Sequence, residues 1–263
     1  MTVALTIAGS DSGGGAGIQA DLKTFEALGV FGTSAITAIT AQNTRGVTDV
    51  AVLEPEIVVA QIQAVAEDFA LGAVKTGMLA TAPIVRAVAE ALSGLAEVSL
   101  VVDPVMVATS GDTLLAPDAV EAYRRDLFGL AALVTPNTQE AEALVGFPVC
   151  TLDDARRAAD ALRQPGLAVL VKGGHLDGEA DAVDVLADDQ GERLYRTERI
   201  VTASTHGTGC TLASGIAAHL ARGESLRDAI AMAKDYLTEA IRHAPGLGGG
   251  HGPVRHLWAL TER

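Results

Sequence analysis

The chain has 263 residues, of which 49% are hydrophobic and only 3% aromatic, and its formal net charge at pH 7 is −14. This apolar content supplies a large core and argues against a disordered protein. The scarcity of aromatic stacking platforms and the acidic balance argue against a nucleic-acid partner, because phosphate backbones repel negative charge.

Short apolar or β-branched runs alternate with longer helical patterns, which is typical of a parallel sheet covered by helices on both faces. Strands are predicted at residues 3–8, 33–39, 73–76, 98–102, 132–135 and 168–172. Helices are predicted at residues 16–28, 56–69, 83–93, 117–126, 139–145, 153–163, 208–222 and 225–243. Two further runs, 182–187 and 193–200, predict an antiparallel hairpin at one edge of the sheet.

No Pro/Ser-rich linker, shift in composition or internal repeat divides the sequence, so a single domain over residues 1–263 is expected. The opening apolar run lacks a basic leader and is too short to span a bilayer. Cys150 and Cys210 show neither metal-ligand spacing nor a paired framework. These features predict a cytoplasmic enzyme with no membrane partner.

A glycine-rich segment, residues 9–17, joins the first predicted strand to the first helix. It therefore lies at the carboxyl edge of the sheet, where open α/β folds bind ligands. A dinucleotide-binding motif is disfavoured, because Thr37 stands where an acidic residue is expected to bind the ribose. A tight turn alone does not explain five glycines in this segment, so a ligand-facing loop is predicted.

A second glycine segment, Thr205-His206-Gly207-Thr208-Gly209-Cys210, begins an apolar helical pattern. Its glycines let the backbone approach an anion, and the first N–H groups of the helix point at that anion along the positive end of the dipole. The chain contains no Gly-x-x-x-x-Gly-Lys-Ser/Thr motif, so this loop is the predicted anion hole for phosphoryl transfer. The alternative is an ordinary helix entry with Thr208 as N-cap.

Cys210 falls in the first turn of that helix, where the dipole favours thiolate by lowering the pKa of a thiol. It is therefore a candidate base or a polar group of the site. The competing interpretation is a small side chain chosen for close packing.

Polar residues follow two other predicted strands, at Asp103-Pro104 and at Thr135-Pro136-Asn137, and Glu140 comes one helical turn after the second. The carboxylates share the carboxyl edge of the sheet, where they suit Mg²⁺ held beside nucleotide phosphates. For Asn137 and Glu140 the alternative is helix capping.

Lysines are few, so those near the glycine segments must supply local positive charge for a nucleotide. Lys172, in Lys172-Gly173-Gly174-His175, ends a strand at the same edge and suits phosphate as a point charge. Lys234 lies among small and apolar residues and either reaches a nucleotide or extends to water. His175, His206 and His243 lack metal-ligand spacing, so no zinc site is expected.

Several segments spread over nearly the whole chain carry a family resemblance, at residues 5–25, 37–44, 77–79, 103–108, 135–137, 172–175 and 206–211. Together they resemble the hydroxymethylpyrimidine/phosphomethylpyrimidine kinases of thiamine biosynthesis, which belong to the ribokinase-like superfamily. The resemblance implies an α/β three-layer sandwich with a mostly parallel central sheet, helices on both faces and an antiparallel edge hairpin.

The resemblance also implies two successive ATP-dependent phosphorylations, first of the hydroxymethyl oxygen of the aminopyrimidine and then of the monophosphate. It implies a pyrimidine pocket in which the amide of Gln42 binds the amino and nitrogen edge of the ring, formed by Gly9, Asp21, Gln42, Met78, Val105 and Cys210. It implies an ATP and Mg²⁺ side formed by Asp103, Asn137, Glu140, Lys172, Thr208 and Lys234. The amides of residues 207–210, including those of Gly207 and Gly209, are the implied anion hole.

Three positions depart from the family pattern. Many relatives carry a catalytic aspartate at the position of Cys210, Thr40 occupies a pocket position that is often valine, and Arg255 precedes His256 where the family tail varies. A vitamin B6 kinase of the same superfamily is the nearest rival, and a non-catalytic pyrimidine sensor is a rival from another class. A homodimer is expected, with the hairpin near residues 181–200 as the contact by analogy with related kinases.

Overall fold

The computed structural model describes residues 1–95, 98–106 and 117–260. The strands in these ranges are β1 (Val3–Asp11), β2 (Phe31–Asn43), β3 (Gly46–Val52), β4 (Leu71–Thr76), β5 (Ser99–Val102), β6 (Leu133–Val134), β7 (Ala168–Gly173), β8 (Ala182–Asp188) and β9 (Gly191–Thr197). The α-helices there are α1 (Gly17–Ala27), α2 (Pro55–Ala66), α3 (Ala82–Ser93), α4 (Pro117–Ala122), α5 (Thr138–Val145), α6 (Leu152–Leu162), α7 (Thr208–Ala221) and α8 (Leu226–Arg242).

All of these strands belong to one sheet, in the order β3-β2-β1-β4-β5-β6-β7-β8-β9. The pairs from β2 through β7 are parallel, so the carboxyl ends of these strands meet at one edge. The pairs β2–β3, β7–β8 and β8–β9 are antiparallel. Both ends of the sheet are therefore antiparallel, whereas its centre has the topology that places ligand sites at the carboxyl edge.

Two apolar clusters cover the two faces of the sheet. Leu5 belongs to a cluster with residues of α2, α3, α5 and α6, whereas the adjacent Ala4 packs in a second cluster with residues of α1, α7 and α8. The same alternation separates Val102 from Val101. Because successive side chains of a strand point to opposite faces, the central strands are buried on both sides, as their continuous apolar runs require.

The predicted three-layer α/β architecture and the edge hairpin are confirmed, since β8 and β9 pair antiparallel at the end of the sheet. Strand β3 at the opposite edge is not among the predicted elements. Residues 107 and 108 of the segment 103–108 lie outside the described residues. Within the described ranges, no helix combines the length and the apolar character needed to cross a bilayer.

Candidate active site

A cavity of about 1080 Å³ opens at the carboxyl edge of the parallel strands. Every predicted site residue except Asp21 lines it. These lining residues are Gly9, Gln42, Met78, Asp103, Val105, Asn137, Glu140, Lys172, Gly207, Thr208, Gly209, Cys210 and Lys234. The volume slightly exceeds the usual range of about 300–1,000 Å³ for a single small-molecule site, so it suits two ligands side by side.

Asp21 lies beneath the cavity and does not line it, so its placement in the pyrimidine pocket is corrected. The carboxylate is fully buried in α1, where it accepts hydrogen bonds from Lys75 Nζ at 2.8 Å and from Thr6 Oγ1 at 2.6 Å. Burial raises the pKa of Asp21, although the Lys75 ammonium lowers it. A residue of the first helix facing the sheet is buried by the packing of that helix, which the motif position alone does not reveal.

The two glycine loops are docked against each other. Asp11 ends β1 and accepts hydrogen bonds from the backbone N–H groups of Gly13, Gly15 and Ala16, which fold the opening loop around its carboxylate. His206, in the second loop, lies 2.8 Å from the same carboxylate through Nε2. Burial opposes ionisation of Asp11, but these hydrogen bonds lower its pKa below the usual range.

Gly207 has a positive φ of 79° and is the N-cap of α7. A Cβ atom at this position would overlap the carbonyl oxygen of Gly15, so only glycine permits this approach of the two loops. The alternative in which Thr208 caps the helix is therefore wrong, since Thr208 is the first helical residue and its hydroxyl donates to the Thr205 carbonyl.

The backbone N–H groups of Gly209 and Cys210 donate to no acceptor in the described part of the chain. They point out of the first turn of α7 at the cavity wall. Unpaired first-turn amides at the positive end of a helix dipole bind anions. This geometry meets the requirement of an anion hole.

Lys172 lies beside these amides. Its Nζ donates to Asp103 Oδ1 at 2.7 Å and is 3.9 Å from Glu140 Oε2. A Cβ atom on Gly209 would be 3.1 Å from the same Nζ, so the absence of a side chain leaves room for the ammonium group. Burial opposes the charge of Lys172, but the two carboxylates raise its pKa above the ordinary value.

Asn137 and Glu140 form a capping box at the start of α5. Glu140 Oε2 accepts from the Asn137 N–H at 2.7 Å, and Asn137 Oδ1 accepts from the Glu140 N–H at 2.9 Å. The capping interpretation is therefore met, and both residues also line the cavity. Burial raises the pKa of the Glu140 carboxyl to about 7, against the effect of the Lys172 ammonium.

Cys210 is a protonated thiol at neutral pH, so the expected thiolate is wrong. Burial raises the pKa of the thiol to about 11, although the Lys75 ammonium lowers it. The nearby carboxylates of Asp21 and Asp103 act in the same direction as burial. Desolvation and these negative charges outweigh the helix dipole, whose contribution at a helix end is small.

Lys234 is 6% exposed and does not extend to water. Its Nζ donates to Asp184 Oδ2 at 2.7 Å, while Asp184 Oδ1 accepts from the Gly173 N–H. This pair ties α8 to β8 and to the end of β7 at the cavity wall.

The remaining lining residues form an apolar pocket with one amide. Met78 follows β4 and packs over Gly9, where a Cβ atom would overlap its methyl group. Gln42 is the penultimate residue of β2, with its backbone N–H bonded to Ser12 Oγ and its side-chain amide bonded to Thr40 Oγ1. An amide between apolar walls suits a neutral heteroaromatic ring.

Three structural contributors were missed by the sequence reasoning: Asp11, His206 and Lys75. Asp11 and His206 lie within the two glycine loops, next to residues that were predicted to line the site. Their position in these loops could have identified them. Lys75 is a single lysine inside an apolar strand, a position where a charge is rarely fully buried without a partner. Its position in the strand was the available signal.

Comparison with known proteins decides the family. A family model described as phosphomethylpyrimidine kinase matches residues 11–255. The chain belongs to this family. It is 52% identical over 259 residues to the hydroxymethylpyrimidine/phosphomethylpyrimidine kinase of Streptomyces coelicolor, covering 98% of this chain and 95% of that protein. It is 51% identical to the thiamine biosynthesis bifunctional protein ThiED of Geobacter sulfurreducens, covering 98% of this chain and 53% of that protein, so the chain spans about half the length of that relative.

Among solved structures, the chain is similar to the pyridoxal kinase of Bacillus subtilis in an ADP complex, with a TM-score of 0.90, 38% identity and 99% of both chains covered. The ribokinase-like fold predicted by the resemblance is confirmed. The family assignment also confirms the expected enzyme class, an ATP-dependent phosphotransferase of the thiamine pyrimidine.

Proposed function

We propose that this member of the phosphomethylpyrimidine kinase family phosphorylates 4-amino-5-hydroxymethyl-2-methylpyrimidine with ATP, and then phosphorylates the resulting monophosphate in the same cavity. The observation that carries this proposal is the continuity of the cavity wall from an apolar pocket with one amide to unpaired helix-start amides beside a lysine. The apolar pocket with one amide suits a neutral ring, and the unpaired amides beside a lysine suit a transferring phosphoryl group. The reaction needs these two environments next to each other.

The pyrimidine binds between Met78 and Val105, and the carboxamide of Gln42 faces its amino and nitrogen edge. Gly9 belongs to this pocket because the missing side chain leaves room for Met78. The hydroxymethyl oxygen then faces the first turn of α7. Two reactants held side by side in one cavity gain rate by proximity alone, provided that the reacting atoms are about 3 Å apart.

The transferring phosphoryl group is stabilised by the N–H groups of Gly209 and Cys210 and by the ammonium of Lys172. A loose transition state spreads negative charge over the phosphoryl oxygens, so fixed donors and a nearby cation contribute more than a strong base. Because its thiol is protonated at neutral pH, Cys210 lines the pocket in this proposal and is not the base.

ATP lies along the wall that carries Asn137, Thr208 and Lys234. The donor set for Mg²⁺ is the pair Asp103 and Glu140. Asp103 Oδ2 accepts no hydrogen bond from the described residues, whereas Oδ1 accepts from Lys172 and Thr135. Carboxylate oxygens with room for water are what magnesium prefers, and the ion would neutralise phosphate charge there.

Residues 1–263 act as one domain in this proposal, since one sheet contains all the described strands. A cytoplasmic location accompanies it, because ATP is supplied there. We also propose a homodimer. Its support is a set of exposed apolar side chains on β2, β3 and α2, whereas the exposed side chains of the hairpin strand β9 are charged. The apolar residues are Phe31, Ile39, Val50, Val52 and Ile57.

A dimer at this edge predicts that Ile39→Lys lowers the mass measured by sedimentation equilibrium. The hairpin variant Arg193→Glu is the matched control and should leave the mass unchanged. If Arg193→Glu lowered the mass and Ile39→Lys did not, the dimer contact would lie at the hairpin instead.

Pyridoxine phosphorylation is a second candidate activity, and the likeness to the Bacillus pyridoxal kinase favours it. Pyridoxine also carries a hydroxymethyl group on a nitrogen heterocycle. The higher identity to the Streptomyces pyrimidine kinase favours the pyrimidine as the better substrate.

Mass spectrometry of the products formed from ATP, Mg²⁺ and the hydroxymethylpyrimidine tests the proposal. The expected products are the monophosphate followed by the diphosphate. Lys172→Ala, purified in the same way, controls for contaminating kinases. A larger kcat/KM for pyridoxine would reverse the order of the candidates, and binding of the pyrimidine without release of ADP would make the protein a sensor.

A further inference from the structure

Thr40 and Gln42 lie two residues apart on β2, so their side chains share one face of the strand and both line the cavity. The hydroxyl of Thr40 is 3.0 Å from the main-chain oxygen of Ser10 and 2.9 Å from Oε1 of the Gln42 carboxamide. Thr40 is 4% exposed. In the described part of the chain, no other residue forms a hydrogen bond with that amide.

One hydroxyl cannot donate to two oxygens at once, because threonine has a single O–H hydrogen. The Ser10 carbonyl can only accept, so it takes the hydrogen. The oxygen and nitrogen of a carboxamide exchange places in a half-turn and are assigned from their hydrogen bonds. When the carboxamide is turned so that Nε2 of Gln42 is next to Thr40, the hydroxyl donates to Ser10 and accepts from Gln42, so both contacts of the hydroxyl are hydrogen bonds.

We propose that Thr40 determines substrate specificity by holding the Gln42 carboxamide in this orientation, an inference that rests on the proposed function of the cavity. One Nε2–H is bonded to Thr40. The Oε1 atom and the second N–H remain for the ligand, so Gln42 presents an acceptor beside a donor.

An aminopyrimidine presents the complementary pair, an amino donor beside a ring-nitrogen acceptor. The hydroxymethyl group that receives the phosphoryl group is next to that amino group. In pyridoxine, the ring atom between the nitrogen and the carbon that bears the reacting hydroxymethyl group carries only a hydrogen, so this edge of the ring offers no donor to Oε1. A fixed carboxamide therefore favours the pyrimidine, because an unmet buried acceptor carries a desolvation cost.

The test compares the hydroxymethylpyrimidine with its analogue that lacks the amino group, using wild type, Thr40→Val and Thr40→Ser. Removal of the amino group should lower the kcat/KM of wild type by about tenfold, the value of one good hydrogen bond. Thr40→Val keeps the shape of the side chain but frees the carboxamide to turn. The ratio of the kcat/KM for the hydroxymethylpyrimidine to that for the analogue should therefore fall to about two. Thr40→Ser keeps the hydroxyl and should keep the ratio of wild type.

The change should appear in the KM for the pyrimidine, with the KM for ATP unchanged. In a Gln42→Ala background, Thr40→Val should have no further effect on the ratio, because the side chain that it orients is absent. Thermal unfolding of each variant establishes that it is folded.

If Thr40→Val lowered kcat/KM by the same factor for the pyrimidine and for its analogue, Thr40 would act through the shape of the pocket, and the proposal would be overturned. So would a change of the ratio that persists in the Gln42→Ala background. If wild type phosphorylates both substrates equally well, the kinase function stands and the role of Thr40 falls. If it phosphorylates neither, the proposed function fails and this inference fails with it.

Discussion

Gly207→Ala places a methyl group at the N-cap of α7, where the backbone has a φ of 79°. An L-residue in the left-handed region costs about 1 kcal/mol by itself. The added Cβ would also overlap the carbonyl oxygen of Gly15. A main-chain oxygen cannot turn aside as the end of a flexible side chain does, so one of the two loops must move.

Relief of this overlap requires a shift of about 1 Å, and a misplacement of that size at a reacting centre costs on the order of 100-fold in rate. The N–H groups of Gly209 and Cys210 follow in the same turn and move with Gly207. We therefore expect kcat to fall by about 100-fold. The KM for the pyrimidine should change little, since Gln42 lies on β2.

Gly223→Ala is the matched control at the other end of α7. Its φ is 89°, but no atom lies within 4 Å of the added Cβ. Both variants should lose about 1 kcal/mol in the free energy of unfolding because of the left-handed backbone, measured by urea denaturation. Gly207→Ala should lose more, because its Cβ also overlaps the Gly15 carbonyl. Only Gly207→Ala should slow ADP release at saturating substrates. A Gly207→Ala enzyme with the kcat of Gly223→Ala would refute the role of this loop contact.

Three further predictions concern charge and burial. Cys210→Ser should keep substantial kcat in the ADP-release assay, whereas Lys172→Ala should lose about 100-fold, because charge stabilisation outweighs base strength in a loose transition state. Burial lowers the pKa of His256 to about 4, so its ring stays neutral in the folded protein while the unfolded chain binds a proton, and this difference makes stability fall as pH drops from about 6.5 to about 4. The raised pKa of Glu140 acts in the opposite direction over the same range, so urea denaturation of wild type and His256→Gln is compared to isolate the contribution of His256. Asp21→Ala should cost about 3–5 kcal/mol in the free energy of unfolding, because it leaves the Lys75 ammonium buried without its partner.

Matched variants keep these tests specific. His256→Gln retains an N–H donor for the Thr211 hydroxyl but does not titrate, so it should lose less stability than wild type over the same pH range; equal losses would contradict the assignment. Asp153 is 84% exposed, and Asp153→Ala should cost at most about 0.5 kcal/mol. A similar cost for Asp21→Ala would contradict the importance of burial. Abolition of activity by Cys210→Ser, with unfolding unchanged, would contradict the minor role of the thiol.

The layered architecture could be predicted from the sequence because the central strands are buried on both faces. Their continuous apolar runs, such as residues 168–171, contrast with the longer helical periods beside them. Once the strands are parallel, residues that end them must meet at one edge, which is why Asp103, Asn137 and Lys172 were placed together correctly. That step needs no knowledge of side-chain contacts.

Strand β3 escaped prediction because its pattern carries little burial information. Five consecutive residues from Thr48 to Val52 are exposed, so the side chains along the strand do not alternate between a buried apolar face and an exposed polar face. The strand forms because a turn brings it back along β2, with Asn43 opposite Gly46. Pairing that depends on a turn and on backbone hydrogen bonds leaves only a weak trace in hydrophobic periodicity.

The charge state of Cys210 could not be predicted for a different reason. Its place at a helix start is local information, but the groups that set its pKa come from α1, β4 and the end of β5. Lys75 and Asp21 are 54 residues apart in the chain. A pKa set by burial and by charges on separate elements requires the packed structure, whereas a dipole argument uses the sequence alone.

The glycines of the two loops have a common physical purpose, which explains why the site needs both segments. A Cβ at Gly17 would overlap the Gly9 carbonyl, and a Cβ at Gly207 would overlap the Gly15 carbonyl. Each glycine thus lets one stretch of backbone lie directly on another. The first contact shapes one wall of the cavity, and the second fixes the start of α7 against it. The proposed pyrimidine pocket and the proposed anion hole are therefore held by main-chain contacts, which vary less than contacts between flexible side chains.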